Sequence, residues 1–317
     1  MEKTTGDGYE VYFKPEVTRD FLVTTAMGDG YLERWQLHSR QSWIHYAERH
    51  SLGVICIFKE LIEADDAMYK NGSWQKLLAP KAVVQRFPQI ERICLLDTDI
   101  RIGPFAPNIF DDSPGGVYSV VSLLNGLPYP KEEVTRRMAF FRHNIYSRDY
   151  PLDSALVGDV FQEFRDLEIA PPKDYFCGGL VLMDASHSQE MADWFFEVED
   201  SERYDSWEQT HLNFWVQARP HAFLPYEYQA IWNYEMAFHY PFLYELGVGI
   251  LNSEVAQSCV RASLWNNHFL HFAGSWHESL AWDVGHERNS TIDNFATAFS
   301  NFRSQDLKGA RVGKILP

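Results

Sequence analysis

Nowhere does the chain hold an apolar run of the roughly 18 residues needed to cross a bilayer, so no membrane-spanning helix is expected. Positive charge is short as well: 28 Lys and Arg stand against 44 Asp and Glu, a formal net charge of −16. Duplex nucleic acid and anionic membranes both select for clustered cations, so neither is an expected general partner. The C-terminal Lys308, Arg311 and Lys314, at roughly 1 kcal/mol each, allow at most weak peripheral contact with a membrane. Cysteine is scarce. Cys56, Cys94, Cys177 and Cys259 are scattered, which fits neither a zinc spacing nor a disulfide framework. The first residues, Met1 to Gly6, carry no apolar signal core. A reducing, cytoplasmic setting is the expectation. Internal repeats, low-complexity stretches and a convincing linker are also missing, and one domain is expected.

What is present reads as α/β. Phe21-Leu22-Val23-Thr24-Thr25-Ala26 is a strand, broken at Gly28-Asp29-Gly30. A helix opens at Tyr31, with Trp35, Ser39, Trp43 and Ala47 recurring every four residues along one face. Gly53 to Phe58 is a second strand, and helical material is expected over roughly 60–87. Strand, glycine turn, helix, strand is a βαβ unit, so the sheet is at least partly parallel. The turn lacks the third glycine of a dinucleotide fingerprint, and no Gly-Lys-Ser/Thr follows it as in a P-loop. Residues 1–20 are polar and form either an arm or an edge strand. Further on, a strand is expected over 117–124 and a locally basic insertion over 131–150. An amphipathic helix marked by Leu156, Val160, Phe164 and Leu167 follows.

The chemistry centres on Ile93-Cys94-Leu95-Leu96-Asp97-Thr98-Asp99. A short apolar run bounded in this way reads as a strand buried on both faces. Carboxylates at its end need a cation or water. If the strand stays extended, Asp97 and Asp99 lie roughly 7 Å apart on one face and can bracket one Mn2+ or Mg2+, with sites left for substrate phosphates. In open α/β sheets ligands sit beyond the carboxyl ends of strands, which places Thr24 to Tyr31 on the same rim as the acidic pair.

The acidic pair alone also suits a phosphatase or a sugar nucleotidyltransferase. Arg101 stands where the first would carry Thr or Val, and Met27 to Tyr31 offers no arginine for the second. The ordered combination is more specific. Asp97-Thr98-Asp99 is followed by Phe176-Cys177-Gly178-Gly179, then Glu208-Gln209, then Leu224-Pro225-Tyr226-Glu227-Tyr228-Gln229, then His271-Phe272-Ala273-Gly274. In this order the motifs resemble the retaining glycosyltransferases of family 8 and the related family 34 galactosyl- and xylosyltransferases, from about Phe21 to His277.

The resemblance implies a GT-A fold, a Rossmann-like α/β/α sandwich with a mixed, mostly parallel central sheet. It implies a glycosyltransferase domain over 21–290, between an N-terminal arm (1–20) and a C-terminal tail (291–317). The implied metal ligands are Asp97, Asp99 and His271, with Thr98 between the carboxylates. Thr24, Thr25 and Ala26 would contact base and ribose, and Tyr31 would stack on the base. Gly274 and His277 would lie at the diphosphate, with His277 where the family usually has lysine, and Lys76, in a Trp74-Gln75-Lys76 segment like the Trp-x-Lys of family 34, near the donor's diphosphate or sugar. Cys177, Gly178, Gly179 and Gln229 would meet donor or acceptor; Cys177 replaces the family's asparagine. Gln209, a poor nucleophile, would lie near the reacting sugar carbon and orient or electrostatically support the sugar; Glu208, the only adjacent carboxylate, is a weaker candidate for nucleophile. The implied reaction is metal-dependent transfer, with retention, from a nucleoside diphosphate sugar (UDP-linked first, GDP-linked second) to a glycan or glycolipid hydroxyl. A different class stays open: a catalytically silent protein that binds nucleotide sugars or carbohydrate.

Overall fold

The computed structural model describes residues 2–14, 16–144, 160–199, 208–245 and 254–273. Eleven strands occur among them: β1 (Glu2–Gly6), β2 (Tyr9–Phe13), β3 (Asp20–Thr25), β4 (Gly53–Ile57), β5 (Arg92–Leu96), β6 (Ile100–Ile102), β7 (Tyr118–Val121), β8 (Leu180–Asp184), β9 (His221–Leu224), β10 (Ala230–Ile231) and β11 (Phe269–His271). Eight of them build one sheet in the order β1-β2-β4-β3-β5-β8-β7-β9, while β10-β11-β6 form a small second sheet.

Side chains alternate along the central strands, and both faces are covered. Phe21 and Val23 of β3, with Ile93 and Leu95 of β5, pack on one face against Trp74, Leu77, Met191, Phe195 and Trp215. Leu22, Cys94 and Leu96 point the other way, into Trp35, Trp43 and Tyr46. Period-two alternation buried on both faces is what a sheet between two helical layers requires. The expected α/β/α architecture holds. A third apolar cluster joins Val134 and Met138 of the helix Lys131–Asn144 to Trp232, Met236, Val260 and Leu264.

The sheet is mixed, but less parallel than expected. β3 runs parallel to β4 and β5, and β7 parallel to β9. The β1–β2, β2–β4, β5–β8 and β7–β8 pairs are antiparallel. An apolar run specifies burial, not direction, so the reversal at β8 left no mark on the sequence. Residues 2–13, read as an arm or an edge strand, form the β1–β2 hairpin and extend the sheet.

Two further differences are local. Helix begins only at Gly72, where the Asn71 side chain accepts from the Ser73 and Trp74 amides. The preceding 59–71 stretch is irregular, and the buried Gln75 amide holds it through Leu61 N (2.7 Å), Ile62 N (2.9 Å) and Lys70 O (2.8 Å). The strand expected over 117–124 stops at Val121, because Ser122 Oγ turns the chain by accepting from the amides of Leu124, Asn125 and Gly126. Of the amphipathic helix after it, the described part is Val160–Asp166, with Phe164 buried; Leu156 lies outside the described residues.

Candidate active site

β5 ends at Leu96, and the chain then turns instead of staying extended: Ile100 N donates to Asp97 O at 3.2 Å. The turn, not a flat strand, is what brings the two carboxylates together. β6 follows at once and pairs antiparallel with β11, with His271 opposite Ile100. Phe272 N donates to Asp99 O at 3.1 Å. Two three-residue strands thereby carry His271 to the acidic pair. The helix Arg40–His50 braces β6, with Trp43 Nε1 donating to Ile100 O (2.8 Å) and Ser42 Oγ accepting from Ile102 N (3.1 Å).

His271 Nε2 lies 3.2 Å from Asp99 Oδ1 and 3.9 Å from Asp97 Oδ2. Oxygen and nitrogen donors of all three lie within 4.8 Å of one another. The histidine is buried, whereas Asp97 and Asp99 keep 36% and 25% of their side-chain surface open. Burial opposes charge on His271, but the Asp99 carboxylate outweighs it and raises the imidazole well above its usual range. Burial likewise pushes Asp99 upward, and His271 more than reverses that, so the carboxyl titrates low. Two hard carboxylates with one imidazole fit a divalent ion, and Mn2+ better than Mg2+, which favours all-oxygen surroundings.

Lys76 Nζ reaches into the same cluster, 2.7 Å from Glu208 Oε1, 3.3 Å from Asp97 Oδ1 and 3.1 Å from Gly178 O. Burial alone would lower the lysine's pKa; Asp97 and Glu208 overcome it and hold the ammonium charged. For Glu208, burial pushes the carboxyl upward against the pull of Lys76.

Gln209 opens the helix Gln209–Gln217. Its Oε1 accepts from Gly178 N at 2.8 Å, and its Nε2 donates to Phe176 O. Four residues on, and so on the same helix face, Asn213 accepts from Phe176 N and donates to Phe176 O, each at 2.9 Å. The two amides fix the bend Phe176 to Gly178. Sequence reasoning missed Asn213, although its spacing from Gln209 was a usable signal.

That bend delivers Gly179 opposite Asp97, whose N donates to Gly179 O at 2.9 Å. A Cβ on Gly179 would lie 2.4 Å from His271 Cε1 and 3.0 Å from Asp97 Oδ2, so these two side chains approach this backbone more closely than any side chain on residue 179 permits. Cys177 Sγ is 3.8 Å from His271 Nδ1, and the fully buried Gln229 amide is 3.2 Å from the same nitrogen.

Asp97, Asp99, His271, Lys76, Glu208, Gln209, Cys177, Gly178, Gly179 and Gln229 therefore converge. Thr24, Thr25 and Ala26 end β3, the parallel neighbour of β5, but Thr24 and Ala26 are buried and only Thr25 is half open. Tyr31 is 43% exposed, with the Arg34 guanidinium 4.7 Å from its ring centre, and Gly28 and Gly30 before it take positive φ. Thr98 is half-buried in the turn between the aspartates. Gly274 and His277, like Lys308, Arg311 and Lys314, lie outside the described residues. Trp74 and Trp232 are fully buried core. A cavity of about 590 Å3 opens elsewhere on the molecule, between Trp194, Glu197, His211 and Phe214, and none of the converging residues lines it. No helix of the described residues is long and apolar enough to cross a membrane.

No family profile matches the chain, and no curated protein matches it. Among solved structures it is similar to a glycosyltransferase involved in the glycosylation of the major capsid of PBCV-1. That likeness has 8% identity and a TM-score of 0.50 and covers 84% of this chain and all of the other. The bifunctional glycosyltransferase WbbM aligns at 12% identity and a TM-score of 0.44, over 89% of this chain and 52% of that one. The fold of this chain is that of a solved glycosyltransferase.

Proposed function

We propose that the chain transfers a sugar from a nucleoside diphosphate sugar to a hydroxyl of a glycan or glycolipid, with Mn2+ or Mg2+ bound and anomeric configuration retained. UDP is the first choice of donor and GDP the second. The observation that carries this reading is the convergence of Asp97, Asp99 and His271 beyond the end of β5 in a glycosyltransferase fold. When bound, the cation would neutralise charge growing on the departing diphosphate.

The residues of the chain supply the rest. Asp97, Asp99 and His271 would hold the ion with positions left for phosphate oxygens. Lys76 brings a fixed ammonium to the same spot, already oriented by Glu208, and charge-assisted hydrogen bonds of this kind are strongest where water is excluded. Tyr31 offers an exposed ring for the base. Both ends of the Gln209 amide are committed to backbone, so Gln209 shapes the bend beneath the sugar rather than attacking it. With Glu208 paired to Lys76, the reading favours attack from the leaving-group face, the diphosphate oxygen taking the acceptor's proton.

The same commitment of Gln209 and Glu208 favours one second reading, a nucleotide-sugar binder without turnover. A panel of UDP- and GDP-sugars separates the two, with Mn2+ or with chelator, following thermal stability and release of nucleoside diphosphate. The transferase reading expects stabilisation that needs Mn2+, slow release without acceptor, and faster release with one. Stabilisation without release supports the binder. No response to any sugar nucleotide sinks both.

A further inference from the structure

Gln229 was expected to touch substrate, yet it is fully buried at the end of the short 3-10 helix Tyr226–Gln229. Its neighbours dictate how its amide lies. With the oxygen toward Leu180 N (3.1 Å) and His271 Nδ1 (3.2 Å), the nitrogen donates to Cys177 O (3.3 Å). The opposite orientation would set an NH2 group against the Leu180 N–H and an oxygen against the Cys177 carbonyl. An amide presents a donor at one end and an acceptor at the other, so only the first orientation satisfies all three partners.

The consequence falls on His271. Its Nδ1 must carry a proton to donate to the Gln229 oxygen, and the alternative partner, Cys177 Sγ, is farther away at 3.8 Å and a weaker acceptor. That fixes Nε2 as the nitrogen facing Asp99 and Asp97, at 3.2 and 3.9 Å. Metal-bound histidines commonly have the second ring nitrogen tied to an outer partner that sets tautomer and orientation. Gln229 also grips the backbone on both sides of Gly178-Gly179, so one side chain sets the ring and the glycine bend against which the ring packs.

We propose that Gln229 is a positioning residue that presents Nε2 of His271 to a divalent cation, and that it makes no contact with donor or acceptor. The inference rests on the metal reading of Asp97, Asp99 and His271.

Direct binding of Mn2+ to the whole chain, followed by the loss of the free-ion electron paramagnetic resonance signal, tests it alongside unfolding curves. Gln229→Leu is expected to weaken Mn2+ binding about 10- to 100-fold. His271→Ala should weaken it at least as much. If His271→Ala binds Mn2+ like the unaltered protein, the metal reading itself fails. If His271→Ala is weakened and a folded Gln229→Leu is not, only the role of Gln229 fails. Should Gln229→Leu not fold, imidazole 15N shifts of the unaltered protein loaded with diamagnetic Mg2+ decide. A protonated Nδ1 with a bare Nε2 at His271 supports the proposal, and the reverse pattern overturns it.

Discussion

The Lys76 ammonium and the Glu208 carboxylate lie 2.7 Å apart, with side-chain exposures of only 12% and 5%. Breaking such a pair from one side costs more than the pair is worth, because the surviving charge stays buried. The two substitutions are not symmetric. Lys76→Met strands Glu208 beside Asp97, and a stability loss of about 3–5 kcal/mol is expected from urea unfolding. Glu208→Gln leaves Lys76 with Asp97 and the Gly178 carbonyl, and the amide can still accept, so the loss should be about 1 kcal/mol. Equal losses would mean that Asp97 and the Gly178 carbonyl cannot hold the ammonium without the Glu208 charge.

Asp99→Asn removes the charge nearest His271 Nε2 while keeping the shape of the turn. The proposed metal-dependent transfer is expected to vanish in a protein that still folds, with a lowered unfolding midpoint because the buried His271 loses the carboxylate that holds it charged. Sugar release by this variant at the unaltered rate, with chelator present, would remove the metal from the mechanism.

The neighbouring glycines give a graded comparison. A Cβ at Gly179 would meet His271 Cε1 at 2.4 Å and the Gln229 amide at 2.9 Å, whereas at Gly178 its nearest neighbours, on Gln209 and Leu212, are at 3.1 Å. Overpacking costs about 1–3 kcal/mol and displaces what it touches. Gly179→Ala is therefore expected to weaken both stability and Mn2+ binding, and Gly178→Ala to affect stability mildly and binding hardly at all. Calorimetric titration with Mn2+ reads the difference. Identical behaviour of the two would show that His271 is not confined by this backbone.

How much of this was legible beforehand depended on range. The acidic pair could be read because two carboxylates at the end of an apolar run need compensation, and His271 because its motif recurs in order. The means of bringing them together could not. β6 and β11 are three residues each, too short for any periodicity. The Lys76–Glu208 pair and the Gln229–His271 contact join residues remote in sequence, and nothing in the local pattern at either end announces the partner. The bonds of the Gln209 amide to Gly178 N and Phe176 O were not legible either, since residue type indicates what a side chain can bond but not which backbone it will meet.

Glu235 supplies a pH dependence away from Asp97, Asp99 and His271. It is buried with no cation paired to it among the described residues. Asn267 Nδ2 (3.0 Å), Tyr226 OH (3.4 Å) and Ser263 Oγ (3.5 Å) donate to it, yet burial still pushes its carboxyl up from 4.5 to about 7, with Glu227 adding to the rise. Between those values the folded chain holds a proton that the unfolded chain has released. Stability therefore falls as pH rises from about 4.5 to about 7 and levels off above. At roughly 1.4 kcal/mol per pH unit the slope amounts to about 3 kcal/mol at most. Glu235→Gln keeps an acceptor for the same donors and cannot ionise, so its unfolding midpoint should lose this slope and exceed that of the unaltered protein at pH 8. Urea midpoints of both proteins across pH 4.5 to 8 decide, and parallel curves would mean that Glu235 titrates alike in the folded and the unfolded chain.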